Sequence, residues 1–443
     1  MKKFIALLLA LVMVLSMVAC GEKAPEQTQA PAQQGGEQKP AEGEKPAETP
    51  AGKIPVHFIV AQYSDATGPY YEKVIAAFEE ANPDIDVTLE VIGWSDLSTR
   101  INTMVSAKQA PDIYAGGSAS AYLEDELVYQ AKDVVSAALQ EDFYATFWNN
   151  NVNPDDGNIY QIPFVASVRS LYCNKKIFDE VGLTETPKTW AQVEEYCQKI
   201  TEHYNGEVYA WGIDATGTEG QTMTAYYGWN NGGGYVDADG NYIINCEGNV
   251  GAYEWAKKLY DNGWTNKSPV TELRDDMQKL VAGDKMAMLI TANFFPSLYP
   301  ECELLMGEVP YNSDVQDKAI SMAVQDALIF FNSNAKAKAD SPEKIAAIQK
   351  FVDYIYAAEQ YLPMCIQEGL LPATASGIDL LVKQDPSQAA YVSILENAQF
   401  YARAKSNWND CSSGLCDAAG KIFSNQMSVQ EALDEVQSIC EEG

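Results

Sequence analysis

Histidine is nearly missing from this chain: His57 and His203 are the only two in 443 residues. Zinc catalysis and His-assisted nucleophilic chemistry draw on several imidazoles and lose their basis here. Positive charge is scarce as well, with 30 Lys plus Arg against 62 Asp plus Glu and a formal net charge of −32. Nucleic acid and anionic lipid surfaces need clustered positive charge to neutralise phosphates, so neither is expected as a partner. The nine cysteines contain no C-x-x-C spacing, which removes a zinc ribbon or a thioredoxin-type site. There is no G-x-G-x-x-G, no phosphate-loop lysine motif, no G-x-S-x-G and no H-E-x-x-H. No repeat of roughly 20–50 residues is present, which excludes a solenoid or propeller. No cofactor and no metal is expected.

What the chain does have begins at its amino end. Met1-Lys2-Lys3 precedes an uncharged run from Phe4 to Ala19, shorter than the ~20 residues of a spanning helix and of the length of a secretory signal. The run closes on Ser16-Met17-Val18-Ala19-Cys20-Gly21, which resembles a bacterial lipobox with Met17 in place of the usual Leu. Residues 1–19 are therefore expected to be a signal peptide and Cys20 a lipidated new amino terminus, with an ordinary cleaved signal as the alternative. Residues 20–53 hold Pro25, Pro31, Pro40, Pro46 and Pro50 among Gly, Gln, Glu, Lys and Ala, too little apolar surface to fold. The segment reads as a tether reaching roughly 30 Å as a coil and ~100 Å if extended. That places the protein on the outer face of the cell membrane, touching it through the lipid anchor only.

From residue 54 the pattern alternates between strand and helix. Ile54–Ala61 and Ile85–Ile92 read as strands, and Tyr71, Val74, Ile75 and Phe78 lie at helical spacing between them. Leu97, Ile101 and Met104 repeat the helical spacing with Ser95 as a candidate N-cap, and a short strand follows at 112–115. Such an opening predicts an α/β fold with a largely parallel sheet covered by helices, and the length predicts two lobes. Thr189-x-x-Gln192 and Ser428-x-x-Glu431 read as capping boxes, Ser341-Pro342 as a helix start, and 286–291 and 327–331 as further strands.

Several suggestive clusters have plainer readings. Gly232-Gly233-Gly234 reads as a flexible turn, because no Lys follows it. Asp237-Ala-Asp239-Gly240-Asn241 lacks the Glu that a calcium loop requires and reads as a hairpin turn. Glu124-Asp125-Glu126 and Asp155-Asp156 read as solvated loops rather than a catalytic pair. His57 reads as a hydrogen-bonded core histidine, and His203 as a residue answering a helix C-terminal dipole. Cys411 and Cys416, closest in sequence, are a candidate disulfide, with buried thiols as the alternative.

The order of signals resembles the family 1 extracellular solute-binding proteins, the lipoprotein receptors of ABC importers of carbohydrates. It is carried by Phe78-x3-Asn82-Pro83-x-Ile85-x-Val87, Ala110-Pro111-Asp112-Ile113, Tyr160-x-Ile162-Pro163 and Leu171-Tyr172-Cys173-Asn174-Lys175. Gly182-Leu183, Pro187-x-Thr189-Trp190, Gly283-Asp284-Lys285-Met286-Ala287-Met288, Gly369-x2-Leu371-Pro372 and Ser428-x2-Glu431-Ala432-Leu433 continue it. The chain departs from the family at Phe294-Phe295, where relatives often carry Trp, and at Gln325-Asp326, where they often carry paired Gly.

The resemblance implies a type II, two-lobed periplasmic-binding-protein-like α/β fold. Residues 54–164 plus 308–358 would form lobe one and 165–307 plus 359–443 lobe two, with a ligand cleft between them. It implies a monomer that closes on a sugar or oligosaccharide and docks on the transmembrane subunits of an ABC permease, without enzymatic activity. A sugar offers C–H faces to aromatic plates and hydroxyls to fixed polar groups. The candidate plates are Tyr63, Trp94, Tyr172, Trp229, Phe294, Phe295 and Trp408. The candidate polar contacts are Asp65, Asp96, Ser118, Arg169, Asn231, Gln325 and Asp326. Trp190 and Trp255, on helical stripes, read as core. The rivals are a same-fold receptor for a polyamine or peptide, and a surface glycoside hydrolase.

Overall fold

A computed structural model describes residues 52–153, 156–332, 340–395, 397–402 and 407–442. The expected signal peptide, Cys20 and the tether up to residue 51 lie outside the described residues. The first strands are β1 (Ile54–Ala61), β2 (Ile85–Ile92) and β3 (Ile113–Gly117), with β1 parallel to both neighbours. Val56, Phe58, Ile59, Val60 and Ala61 are fully buried, because crossover helices cover both faces of a parallel sheet. Helix α1 (Thr67–Ala81) buries Tyr71, Val74, Ile75 and Phe78. Helix α2 (Trp94–Ser106) buries Leu97, Ile101 and Met104. It starts two residues earlier than expected, with Gly93 rather than Ser95 as its N-cap.

The remaining strands are β4 (Gln161–Asn174), β5 (Tyr209–Trp211), β6 (Met286–Ala292), β7 (Leu304–Gly307), β8 (Ser321–Phe330), β9 (Leu371–Pro372) and β10 (Ala398–Gln399). The sheet order is β2-β1-β3-β8-β4-β6-β5, with β7 and β9 on β4 and β10 on β8. The 14-residue β4 is long enough to serve two cores: its first half pairs with β8, its second with β6 and β7. Among the helices that follow are α3 (Trp190–Tyr204), α4 (Glu247–Asp261), α5 (Arg274–Ala282), α6 (Pro342–Tyr356), α7 (Ala358–Glu368), α8 (Trp408–Phe423) and α9 (Val429–Glu442). The expected starts hold: Thr189 and Gln192 cap α3 reciprocally, Ser341 accepts from the Lys344 amide, and Ser428 and Glu431 exchange hydrogen bonds.

Two large buried clusters result, joined across β4 and β8. One gathers β1–β3, Ile162–Val168 of β4, α1, α6 and α7. The other gathers Leu171 onward, with α3, α4, α8 and α9. The packing divides the chain elsewhere than at residues 307/308 and 358/359. Tyr361, Leu362, Cys365, Leu381 and Leu395 pack in the first cluster with Phe58, while Val309 packs in the second. Helix α7 begins one residue after Ala357 ends α6, so no chain is available there to cross between cores.

Other expectations sort by packing. Trp190 and Trp255 are core, stacked at 4.3 Å. The glycine run is a packed turn rather than a flexible one, since a Cβ on Gly233 would lie 2.3 Å from Asn249 Oδ1. Asp237 Oδ1 accepts from the Asp239 and Asn241 amides, closing the expected hairpin turn. His57 is half-buried rather than core, with Nε2 3.5 Å from Glu90 Oε2. The disulfide joins Cys411 to Cys440, not to Cys416. Five residues along a helix place Cys416 ~140° around α8 from Cys411, and its thiol meets Gln221 Oε1 at 2.8 Å instead.

Candidate functional site

Because β1, β2 and β3 are parallel, their carboxyl ends at Ala61, Ile92 and Gly117 share one edge, the place where open α/β sheets bind ligands. β8 returns antiparallel along β3 with Ala327 opposite Gly117, so Asp326 sits just beyond that edge. In the second core, the carboxyl end of β6 at Ala292 lies opposite Arg169 of β4. Asp326 pairs with Val165, four residues before Arg169 on the same strand. At ~3.3 Å per residue the two carboxyl edges are separated by about 13 Å along β4.

The first edge carries an open aromatic plate. Trp94, at the first position of α2, is 46% exposed. Its indole lies over Gly116, where a Cβ would come within 3.3 Å of the ring and 2.7 Å of Ala61 Cβ. Gly116 also has φ +120°, so both space and backbone require glycine there. The Tyr63 ring meets Trp94 edge-on at 5.5 Å, and the Tyr63 hydroxyl donates to Asp326 Oδ2 at 2.9 Å. Burial, then the Asp326 charge, pushes the Tyr63 phenol well above its ordinary pKa, so it remains a donor. Thr67 Oγ1 accepts from the Tyr63 and Ser64 amides and donates to Glu368 of α7, pinning the loop after β1. Asp65, in the loop after β1, and Asp96, in the first turn of α2, are exposed on this same edge.

The second edge is polar and already paired. Arg169 is buried, with Nε donating to the Tyr226 hydroxyl and Nη1 to Ser167 Oγ, both at 3.1 Å. Beside it, Asp214, Glu219, Tyr226 and Arg274 line a pocket. Arg274 Nη1 donates to Glu219 Oε1 at 2.7 Å, and the Arg274 amide donates to Asp214 Oδ2 at 2.8 Å. Burial raises the Asp214 pKa despite hydrogen bonds from Thr216. Phe294, half-buried just after β6, packs on Gly369, whose φ of +67° and 2.7 Å Cβ clearance admit no side chain. Asn293 accepts from the Val168 amide and donates to the Gly369 carbonyl, tying β4 to the end of α7. Sequence reasoning missed Tyr226, Asp214, Glu219 and Arg274; their one local signal is position after β5, since no motif marks them.

Several sequence candidates lie away from these edges. Tyr172 and Phe295 are in a closed core, ring to ring at 5.5 Å: Tyr172 points inward from β4, and Phe295, opening a short helix after β6, packs there with Met277 and Val281 of α5. Trp229 and Trp408 flank Tyr235 edge-on at 5.4 and 5.1 Å inside the second core and are 5% and 7% exposed. Asn231 spends its amide internally, donating to the Gly248 carbonyl and accepting from Asn312. Gln325 and Asp326 separate because successive strand residues face opposite ways. Gln325 donates to Asn151 at 2.9 Å, and Ser118 lines a pocket with it on that side.

Residues 63–361 match the family described as bacterial extracellular solute-binding protein. The chain belongs to that family. A binding protein of Brucella abortus (strain 2308) is 27% identical over 374 residues, covering 83% of this chain and 88% of the relative. The sn-glycerol-3-phosphate-binding periplasmic protein of Salmonella typhimurium is 22% identical over 344 residues, covering 72% and 74%. Maltose-bound MalE3 of T. maritima superposes with TM-score 0.73 at 16% identity, over 87% of this chain and 99% of that one. The cyclic alpha-maltosyl-1,6-maltose binding protein of Arthrobacter globiformis does so with TM-score 0.74 at 16% identity, over 88% and 100%. The chain therefore has the two-lobed α/β fold of this solute-binding family. Among the described residues no helix is long and apolar enough to cross a membrane.

Proposed function

We propose that the protein is the receptor of an ABC importer and captures a neutral sugar or short oligosaccharide between the two carboxyl edges. The observation that carries this reading is Trp94: an open indole, backed by a required glycine and flanked by the fixed Tyr63–Asp326 pair. A flat plate beside a held carboxylate suits a ring with C–H faces and hydroxyls. Arg274 is ion-paired with Glu219, whereas Arg169 gives Nε and Nη1 to the uncharged Tyr226 and Ser167 hydroxyls, so a phosphate-bearing solute is the comparator that probes this cation. Solved relatives of this fold hold maltose and cycloalternan, consistent with the same solute class.

Closure follows from population arithmetic. Taking a receptor from one per cent to ninety-nine per cent closed needs ~5.5 kcal/mol of differential binding. Contacts made by both edges at once supply that preference: Tyr63, Trp94 and Asp326 from one side, Tyr226, Glu219 and Phe294 from the other. Cys20 would anchor the chain by lipid, and the tether would let the closed form reach its permease. Calorimetric titration with a glycan panel, with sn-glycerol 3-phosphate and spermidine as charged comparators, tests the reading. Saturable binding of a neutral glycan that Trp94→Ala weakens supports it; tight binding of either charged solute alone overturns it.

A further inference from the structure

Three Asn-Gly steps occur in the chain, at 205–206, 231–232 and 262–263. In such a step the glycine backbone nitrogen can attack the side-chain amide carbon before it, because no Cβ shields the approach. The structure holds the three pairs differently. Asn231 is buried and locked, its Nδ2 donating to the Gly248 carbonyl and its Oδ1 accepting from Asn312. Asn262 is exposed but tied: its Nδ2 donates to the Lys258 carbonyl at 2.9 Å, and its backbone stays right-handed. Asn205 is exposed, and among the described residues its side chain has no hydrogen-bond partner.

The backbone at Asn205 adds to this freedom. It follows α3 with φ +50° and ψ +34°, the left-handed region. Gly206 comes next at φ +75°, and no described residue beyond its chain neighbours lies within 4 Å of where a Cβ would stand. One contact restrains the nitrogen: the Gly206 amide donates to the Thr201 carbonyl at 3.1 Å, an acceptor it shares with the Asn205 amide. Opening this last turn relieves both the shared acceptor and the left-handed conformation of a residue with a Cβ. Helix ends are where such opening costs least.

We propose that Asn205 is a self-modification site, converting through a cyclic imide to isoaspartate and aspartate in the folded chain. The Gly206 nitrogen, having given up its proton, bonds to Asn205 Cγ; the Cγ–Nδ2 bond breaks and ammonia leaves. Water then opens the imide at one carbonyl or the other, giving aspartate or a backbone routed through the side chain. Either product places a new negative charge at the carboxyl end of α3, where the helix dipole opposes it. The isoaspartate also lengthens the backbone at the cap of a helix that buries Trp190, Val193, Cys197 and Ile200. The modification thus marks the age of the second core and stands whatever solute the cleft takes.

The test is incubation of the full chain at neutral and mildly alkaline pH, then peptide mapping with electron-transfer fragmentation, which separates isoaspartate from aspartate. Conversion at Asn205 should run about tenfold faster than at Asn262, the factor one tethering hydrogen bond supplies, and faster still than at Asn231. The rate should rise with hydroxide concentration, because the attacking nitrogen must lose its proton. Asn205→Gly, which suits the left-handed cap, should abolish the signal. Equal rates at the three asparagines, faster loss at Asn262 or Asn231, or a pH-independent rate overturns the proposal. So does an Asn205 that stays intact in the folded chain while the excised peptide converts.

Discussion

The first carboxyl edge and the second core both use tryptophan, and they use it differently. At the first, Trp94 is 46% exposed and its ring is the surface. In the second core, away from its edge, Trp229 and Trp408 are 5% and 7% exposed and close on Tyr235. Tryptophan beside polar neighbours thus marks two different physical roles, an open plate and the filling of a core. The difference lies in what sits beneath each ring. Gly116 leaves room for Trp94 to lie on the strand end, whereas Gly234 lets Trp229 fold inward, a Cβ there being 3.2 Å from its indole.

The sharpest break of this comparison is Trp229→Ala. Removing a nearly buried indole should cost about 3–5 kcal/mol of stability, read by denaturant unfolding. A variant as stable as the wild type would place Trp229 with Trp94 after all. Next is the Cys411–Cys440 bridge, which closes 29 residues and binds the start of α8 to α9 behind the same cluster. Loop-closure entropy puts its contribution at about 3.5 kcal/mol, so Cys411→Ser with Cys440→Ser should lower the melting temperature and leave Trp94 exposure unchanged. Trp94→Ala is the reciprocal experiment: glycan affinity should drop roughly 30-fold, about 2 kcal/mol, with unfolding unaltered. Equal losses of stability in Trp94→Ala and Trp229→Ala would erase the distinction.

The smallest effect concerns a charge on the far side of β2. Hydrogen bonding to His57, with Arg100 contributing, holds the Glu90 carboxyl down at about 2. Its folded pKa lies below the unfolded value, so the stability it adds is present above about 4.5 and is lost as pH falls toward 2. Acid unfolding of Glu90→Gln should therefore lack part of the wild-type decline in that window. Both edges should be untouched, which ligand titration at neutral pH would check.

Much of the framework was legible because it depends on local periodicity. The stripe Tyr71, Val74, Ile75 and Phe78, and the strand limits of β1 and β2, follow from spacing that no other conformation satisfies with one apolar face. Tyr63, Trp94 and Asp326 were legible as candidates because they follow strands or sit where the family pattern changes. Tyr172, Phe295 and Asn231 misled for the opposite reason: aromatic and amide side chains serve a core as readily as a cleft, and their neighbours in sequence do not say which. Gln325 and Asp326 were grouped as a pair, yet adjacent strand residues face apart.

By itself the sequence determined the apolar stripes of β1, β2 and α1, the capped starts of α3, α6 and α9, and the strongly acidic charge balance. These are consequences of side-chain period, capping chemistry and composition, all local. Only the tertiary structure decided which tryptophan stays open, which cysteine meets Cys411, and which side of β8 faces which pocket. Those outcomes depend on contacts between residues far apart in the chain, such as Tyr63 with Asp326 and Asn151 with Gln325, and no local spacing encodes them.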